Sequence, residues 1–150
     1  MSHSYVNALF HCVFSTKDRR EIITEKLQER LWPYMGGIAR DNRMKAITVG
    51  GAEDHADLLL SIPSTLSVSK AMQLLKGGSS KWIHDTFSEH SLFAWQEGYG
   101  AFSIGVSQVE DTKRYIASQK EYHRTRTFQE EFLAFLDRHG IEYDKRYVWG

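Results

Sequence analysis

The sequence predicts an α+β domain: a ferredoxin-like antiparallel sheet with helices packed on it. Three observations carry that expectation. Short runs rich in β-branched and aromatic residues alternate with longer stretches of helical spacing. Two of the strand-like runs, Lys45 to Gly50 and His55 to Ile62, are separated only by a turn at Gly51 to Asp54, which makes a β-hairpin rather than a parallel crossover. Two prolines and no low-complexity stretch leave no evident linker, so residues 1–150 read as one domain, long enough to bury a core.

Taken in chain order, Tyr5 to Ser15 (YVNALFHCVFS) suits a strand, and Thr16 to Arg20 (TKDRR) follows as a basic, exposed loop. Thr24 caps a helix in which Leu27, Leu31, Tyr34 and Ile38 keep helical spacing; Pro33 inside it predicts a kink or a break. After the hairpin, Ser64 to Phe87 reads as a helix bent at Gly77-Gly78, and Ala101 to Ser107 as another short strand. Val109 to Arg126 is a further helix, and Thr127 caps a last one that runs through His139 and stops at Gly140. The tail carries Tyr143, Tyr147 and Trp149, and that aromatic content predicts docking against the body of the domain.

Composition removes several function classes. The 19 Lys and Arg balance 19 Asp and Glu, so a nucleic-acid partner needs a local basic face rather than net charge. A single cysteine, Cys12, excludes an intramolecular disulfide, and its apolar setting predicts burial. No apolar run approaches the roughly 18–20 residues of a membrane span and no signal core opens the chain, so the expected location is cytoplasmic, with no membrane partner. The G-x-x-x-x-G-K spacing of a P-loop is missing, which argues against nucleotide binding.

Two places carry the chemistry. Residues two apart on a strand share a face, so His55 and Asp57 project together while Ala56 points away. A histidine and a carboxylate side by side suit a divalent ion, with the oxygen ligand favouring Mg²⁺ or Mn²⁺; a plain hydrogen-bonded pair fits the same spacing. Tyr115 and Gln119 stand four apart, on one helical face. Tyr122 and His123 continue that stripe, and Lys113, Arg114, Lys120, Arg124 and Arg126 make the helix basic. A phenol with a pKa near 10 is about one part in a thousand ionised at neutral pH, so as a nucleophile Tyr115 needs a metal and basic neighbours. The other reading is an ordinary surface tyrosine on a solvated helix. Lys76-Gly77-Gly78-Ser79-Ser80-Lys81 offers lysines, hydroxyls and backbone amides to a phosphate. Four tryptophans, Trp32, Trp82, Trp95 and Trp149, could stack on unpaired bases or fill the core.

Together these residues resemble the single-tyrosine transposases of the smallest bacterial insertion sequences, REP-associated tyrosine transposases among them, within the histidine–hydrophobe–histidine endonuclease group. The resemblance runs through His11-Cys12-Val13-Phe14, Thr16-Lys17 and Arg19-Arg20, then Asp54-His55-Ala56-Asp57-Leu58-Leu59 and Lys76-Gly77 with Ser79-Ser80. It continues through Trp95-Gln96-Glu97-Gly98-Tyr99-Gly100-Ala101-Phe102-Ser103, Tyr115-Ile116-Ala117-Ser118-Gln119, Phe128 through Phe132, Gly140-Ile141-Glu142-Tyr143-Asp144, and Trp149. It implies a ferredoxin-like fold and a metal-dependent strand transferase acting on hairpin-bearing single-stranded DNA. Tyr115 would form the 5′-phosphotyrosine link, and His55, Asp57 and Gln119 would hold Mg²⁺ or Mn²⁺. Lys17, Arg19, Arg20, Lys76, Ser79, Ser80 and Arg114 would contact DNA. A homodimer is implied, its active sites composite between subunits. One departure stands out: Asp57 occupies the position of the second histidine, with Glu53 a carboxylate close by in sequence. A protein that binds hairpins without cutting them is the alternative, and a ferredoxin-like regulatory module a more distant one.

Overall fold

A computed structural model describes residues 4–119, 121 and 126–149. Strand β1 spans Leu9–Ser15, helix α1 Glu25–Asp41, β2 Lys45–Gly51, β3 His55–Ser61 and α2 Val68–Thr86. Strand β4 (Gly100–Ile104), α3 (Val109–Ala117) and α4 (Phe128–Arg138) complete the series. The sheet has the order β2-β3-β1-β4, and every neighbouring pair is antiparallel. That is the split β-α-β arrangement of a ferredoxin-like fold, with β3 inserted between β1 and β2.

The alternating residues of β1 and β3 divide the molecule. Cys12, Phe14, Ala56, Leu58 and Leu60 face α1 and α2 and build the main core with Leu27, Leu31, Met35, Met72 and Leu75. On the opposite face Val13 and Phe102 form a second cluster with Phe128, Phe132 and Leu136 of α4. Tyr143, Val148 and Trp149 of the tail pack against that cluster, as the aromatic content predicts, while Tyr147 stays 70% exposed. Helices on both sides explain why β3 reads as nearly continuous apolar sequence.

Several boundaries differ from the sequence expectation, each for a physical reason. β1 begins at Leu9 rather than Tyr5, because Leu9 is already opposite the last paired residues of its neighbours, Ser61 and Ile104. Helix α1 runs without a break through Pro33. Pro33 and Glu29, the residue whose carbonyl loses its donor, are exposed, so water can satisfy that carbonyl. Helix α2 is continuous through Gly77-Gly78 and starts at an N-cap on Ser67, not near Ser64. A side chain at Gly78 would meet Ile38 of α1 at 3.0 Å, so the small residue serves close helix packing rather than a bend. Strand β4 ends at Ile104, three residues early, and α3 stops at Ala117 with Ser118 as its C-cap. Of the predicted continuation, Lys120, Tyr122, His123 and Arg124 lie outside the described residues.

The caps at Thr24 and Thr127 form as expected, with Leu27 N–H and Glu130 N–H donating to their hydroxyls. Gly51 closes the hairpin at φ 151, where an added Cβ would lie 2.2 Å from the His55 carbonyl oxygen. Cys12 is buried, and burial pushes its thiol up to about 12.

Candidate active site

The α3–α4 face of the sheet concentrates the polar residues. Register places Ser15 opposite His55, Val13 opposite Asp57 and His11 opposite Leu59, so His11, His55 and Asp57 all project from this face. All three are buried, together with Asp54 and Gln119. Buried polar groups need partners, and these find one another.

His55 Nδ1 donates to Asp54 Oδ1 at 2.7 Å. Its Nε2 stands 2.7 Å from Gln119 Oε1 and 3.0 Å from Asp57 Oδ2. One ring nitrogen cannot align a single proton on two oxygens, and Asp57 Oδ2 has no aligned hydrogen bond. The other carboxylate oxygen of Asp57 accepts from His11 Nε2 at 2.8 Å. Burial alone would lower the His55 pKa, but the carboxylates of Asp57 and Asp54 outweigh it and raise it to about 10. Burial likewise works to raise Asp57, and the two histidines overcome it, holding the carboxyl at about 2.

Helix α3 delivers the tyrosine. Ile116 is its one buried apolar residue and rests on Gly50 of β2, where an added Cβ would meet Ile116 Cγ2 at 2.9 Å and the Ile116 carbonyl oxygen at 3.1 Å. This close approach brings Tyr115 beside His11, with ring centroids 5.8 Å apart. The helix is interrupted by a turn at Ser118, and Gln119, helical again one residue on, reaches the sheet. Tyr115 is half-buried; burial first, and the Asp57 charge second, raise its phenol above the ordinary value, against an opposing hydrogen bond with Gln119.

Helix α4 roofs the site with one face. Phe128 covers His55 at 4.9 Å between ring centroids, Glu131 shares a hydrogen bond with Tyr115, and Phe135 meets the edge of His11 at 5.0 Å. A cleft of about 400 Å³ opens between α3 and α4, with Tyr115, His11, Thr112, Glu131, Phe135 and Arg138 among its walls. This is an open cleft with polar and apolar walls, not the closed apolar pocket a small-molecule module would present.

The donor set suits a hard divalent ion. Among the described residues no three of His, Cys, Asp and Glu form a metal-binding group by themselves; beside His55 and Asp57, the further oxygen within reach is that of the Gln119 amide. In the free chain His55 is protonated on both nitrogens; with an ion bound, the Asp54 contact would keep the proton on Nδ1 and Nε2 would give up its own to turn a lone pair to the ion beside Asp57 Oδ2 and Gln119 Oε1. Adjacent ligands of an octahedral Mg²⁺ lie about 3 Å apart, the same scale as these contacts. The residues present fit the group.

The remaining sequence candidates separate. Lys17 and Arg20 are exposed on the turn after β1, next to the His55 end of the sheet, where Thr16 N–H bonds the Asp54 carbonyl. Arg19 lies over the Trp149 ring at 5.2 Å. Arg114 is exposed and ion-paired with Asp111. Lys76 belongs to the other side of the sheet: its Nζ donates to the carbonyls of Glu97 and Gly98 at 2.9 and 2.8 Å, above the Phe14 ring. Ser79 is buried, donating to the Leu75 carbonyl and accepting from Trp95 Nε1, so its hydroxyl holds packing together instead of facing a phosphate. Ser80, its neighbour, is half-buried. The four tryptophans also pack: Trp82 stacks on Tyr34 at 4.2 Å, Trp32 and Trp95 join the main core, and Trp149 lies against Phe128 and Phe132. Glu53 contributes its backbone carbonyl to Ile23, and Asp54 is the carboxylate on His55. Sequence reasoning missed Asp54, His11 and Glu131 as site residues.

A four-stranded antiparallel sheet that presents a histidine–carboxylate pair to a helix-borne tyrosine defines a transposase-like α+β protein. The chain belongs to the IS200-like transposase family, whose model matches residues 4–119. The transposases for insertion sequence element IS200 of Salmonella typhimurium and Salmonella typhi are each 26% identical over 128 residues, covering 81% of this chain and 82% of theirs. Among solved structures, a candidate transposase from Deinococcus radiodurans superposes with a TM-score of 0.65 at 19% identity, over 79% of this chain and 96% of that one. A REP-associated tyrosine transposase bound to a REP hairpin gives 0.60 at 13% identity, over 82% and 73%. These two share the fold. The family match ends at Gln119, so the α4 roof and the tail lie beyond it. Among the described residues no helix is long and apolar enough to cross a membrane.

Proposed function

We propose that this transposase cleaves and rejoins single-stranded DNA through Tyr115, with Mg²⁺ or Mn²⁺ held by His55, Asp57 and Gln119. One observation carries the reading: a buried imidazole nitrogen and two oxygens converge beside a tyrosine of the same chain. The Tyr115 oxygen attacks phosphorus, the bond to the 3′-oxygen breaks, and the 5′ end stays on the chain as a phosphotyrosine. The phenol proton passes to Glu131, its hydrogen-bond partner, and a proton from solvent goes to the departing 3′-oxygen, so one proton is lost and one gained. Attack by an incoming 3′-hydroxyl reverses these steps, so no nucleotide triphosphate is consumed. When bound, the metal ion supplies positive charge against the charge developing on the phosphate oxygens. Phe128 and Phe135 keep bulk water from the groups that orient the reaction.

The strand enters by the α3–α4 cleft, with Arg138 on its wall and the turn bearing Lys17, Arg19 and Arg20 along the His55 side. Hairpin-bearing DNA as substrate is supported by the structural neighbour that is bound to a REP hairpin. A homodimer is part of the reading. The closeness of Tyr115, Gln119, His55 and Asp57 within one chain supports a complete set in each subunit.

The test is incubation with a hairpin-bearing single-stranded oligonucleotide and Mn²⁺, followed by a denaturing gel. The wild-type chain gives a slow covalent band, and Tyr115→Phe gives none while still retarding the oligonucleotide on a native gel. A covalent band from the Phe variant would remove Tyr115 from its role. Hairpin binding by wild type with no band at all leaves the non-cleaving reading in its place.

A further inference from the structure

Asp57 is the position at which this chain departs from the histidine–hydrophobe–histidine pattern, and a carboxylate there raises a problem of its own. Its side chain is shorter than histidine's, and either oxygen can face the site. Rotation about the carboxyl bond would exchange the two unless something fixes one of them. His11 does so. It projects from β1 on the same face, two residues from the position opposite Asp57, and its Nε2 contacts Asp57 Oδ1 at 2.8 Å. An ionised carboxylate only accepts, so Nε2 carries the proton. With Oδ1 committed, Oδ2 is the oxygen left facing His55 Nε2 at 3.0 Å.

The His11 ring is itself held from two sides. Phe135 of α4 meets it at 5.0 Å and 87°, and Tyr115 of α3 at 5.8 Å and 71°. One imidazole therefore touches the carboxylate of the sheet, the ring of the nucleophile and the roof helix.

We infer that His11 is a positioning residue that couples the two halves of the site, locking the Asp57 carboxylate for metal binding while its ring edge braces Tyr115. The inference rests on the metal reading above, and its test separates the two. The substitutions are His11→Gln, which can keep an N–H donor near the Nε2 position, and His11→Met, which fills similar space without one. Mn²⁺ affinity is measured by calorimetry on the DNA-free protein. Positioning groups behind a metal ligand typically contribute about 10–100-fold in affinity, so His11→Met should bind Mn²⁺ that much more weakly, with His11→Gln recovering most of the loss. In an Asp57→Asn background the His11→Met change should cost little further, because the carboxylate it orients is gone. Equal Mn²⁺ affinity in wild type and His11→Met overturns the inference.

If the wild-type chain binds no Mn²⁺, the metal reading fails by itself and nitrogen-15 imidazole spectra decide on His11. Under the inference, His11→Met shifts the His55 ring signals and His11→Gln restores them; unchanged His55 signals refute it. Should His11→Met fail to fold, the same spectra are taken on Asp57→Asn, where unchanged His11 signals refute the contact.

Discussion

On the α1–α2 face of the sheet, β1 and β3 contribute Phe10, Cys12, Phe14, Ala56, Leu58 and Leu60, all apolar. On the α3–α4 face the same two strands contribute His11, His55 and Asp57 beside Val13 and Leu59. One face is held by burial of hydrocarbon, which needs no directional partner. The other buries ionisable groups that must satisfy one another, and their mutual attraction in such a setting often does no better than offset the loss of water. The first face, with the larger apolar cluster, therefore carries more of the stability and the second carries geometry, and mutations on the two faces should separate those quantities.

The largest expected loss of stability belongs to the apolar face. Leu58→Ala removes a fully buried side chain from the main core and should cost about 2–5 kcal/mol, read from denaturant unfolding. The folded fraction should retain covalent-complex formation on hairpin DNA, because Leu58 points away from His55 and Asp57. A folded Leu58→Ala protein unable to form the complex would show that the faces are not separable.

Gly50 sharpens the comparison from the other side. An added Cβ there meets the carbonyl oxygen of Ile116 at 3.1 Å as well as its Cγ2 at 2.9 Å, and a helix backbone gives way only by moving as a unit. Gly50→Ala should cost roughly 1–3 kcal/mol, as overpacking does. It should also abolish covalent attachment by lifting Tyr115 and Gln119 away from the sheet. Adding Ile116→Ala relieves only the side-chain half of the clash, so attachment should recover in part. Full activity in Gly50→Ala alone would mean that α3 is not held where this packing places it.

How much of this was legible in the sequence follows from what each signal depends on. Periodicity and caps depend on neighbours in sequence, so the hairpin, the Thr24 and Thr127 caps and the tail's docking were readable. Pro33 and Gly77-Gly78 were misread because their effect depends on whether solvent or a neighbouring helix stands beside them. His55, Asp57, Tyr115 and Gln119 were singled out by spacing and by resemblance, but their convergence required the packing of Ile116 on Gly50. His11 lies 46 residues from Asp57, and only the β1–β3 register makes them diagonal neighbours. Lys76 and Ser79 illustrate the reverse error, since local composition says nothing of the Glu97 and Gly98 carbonyls or the Trp95 indole that occupy them.

The finest separation of the two faces is by pH. His55 is raised in the folded chain to about 10 from its ordinary 6.5, so its contribution is fully present below 6.5 and is lost as pH rises through 10. Asp57 is lowered to about 2 from 3.8, so its contribution is present above 3.8 and is lost as pH falls through 2. Stability from the pair should therefore be flat between 3.8 and 6.5 and decline on either side. Above 6.5 the unfolded chain has released a proton that the folded chain still holds. The alkaline decline therefore approaches one proton's worth, about 1.4 kcal/mol per pH unit. Asp57→Asn takes away the largest of the attractions that raise His55, so its melting temperature should depend less on pH between 6.5 and 9 than wild type's. Leu58→Ala, lower in stability throughout, should keep the wild-type slope. Equal slopes for Asp57→Asn and wild type would mean that the buried pair does not govern the alkaline side, and that the polar face is held chiefly by the aromatic cover of α4.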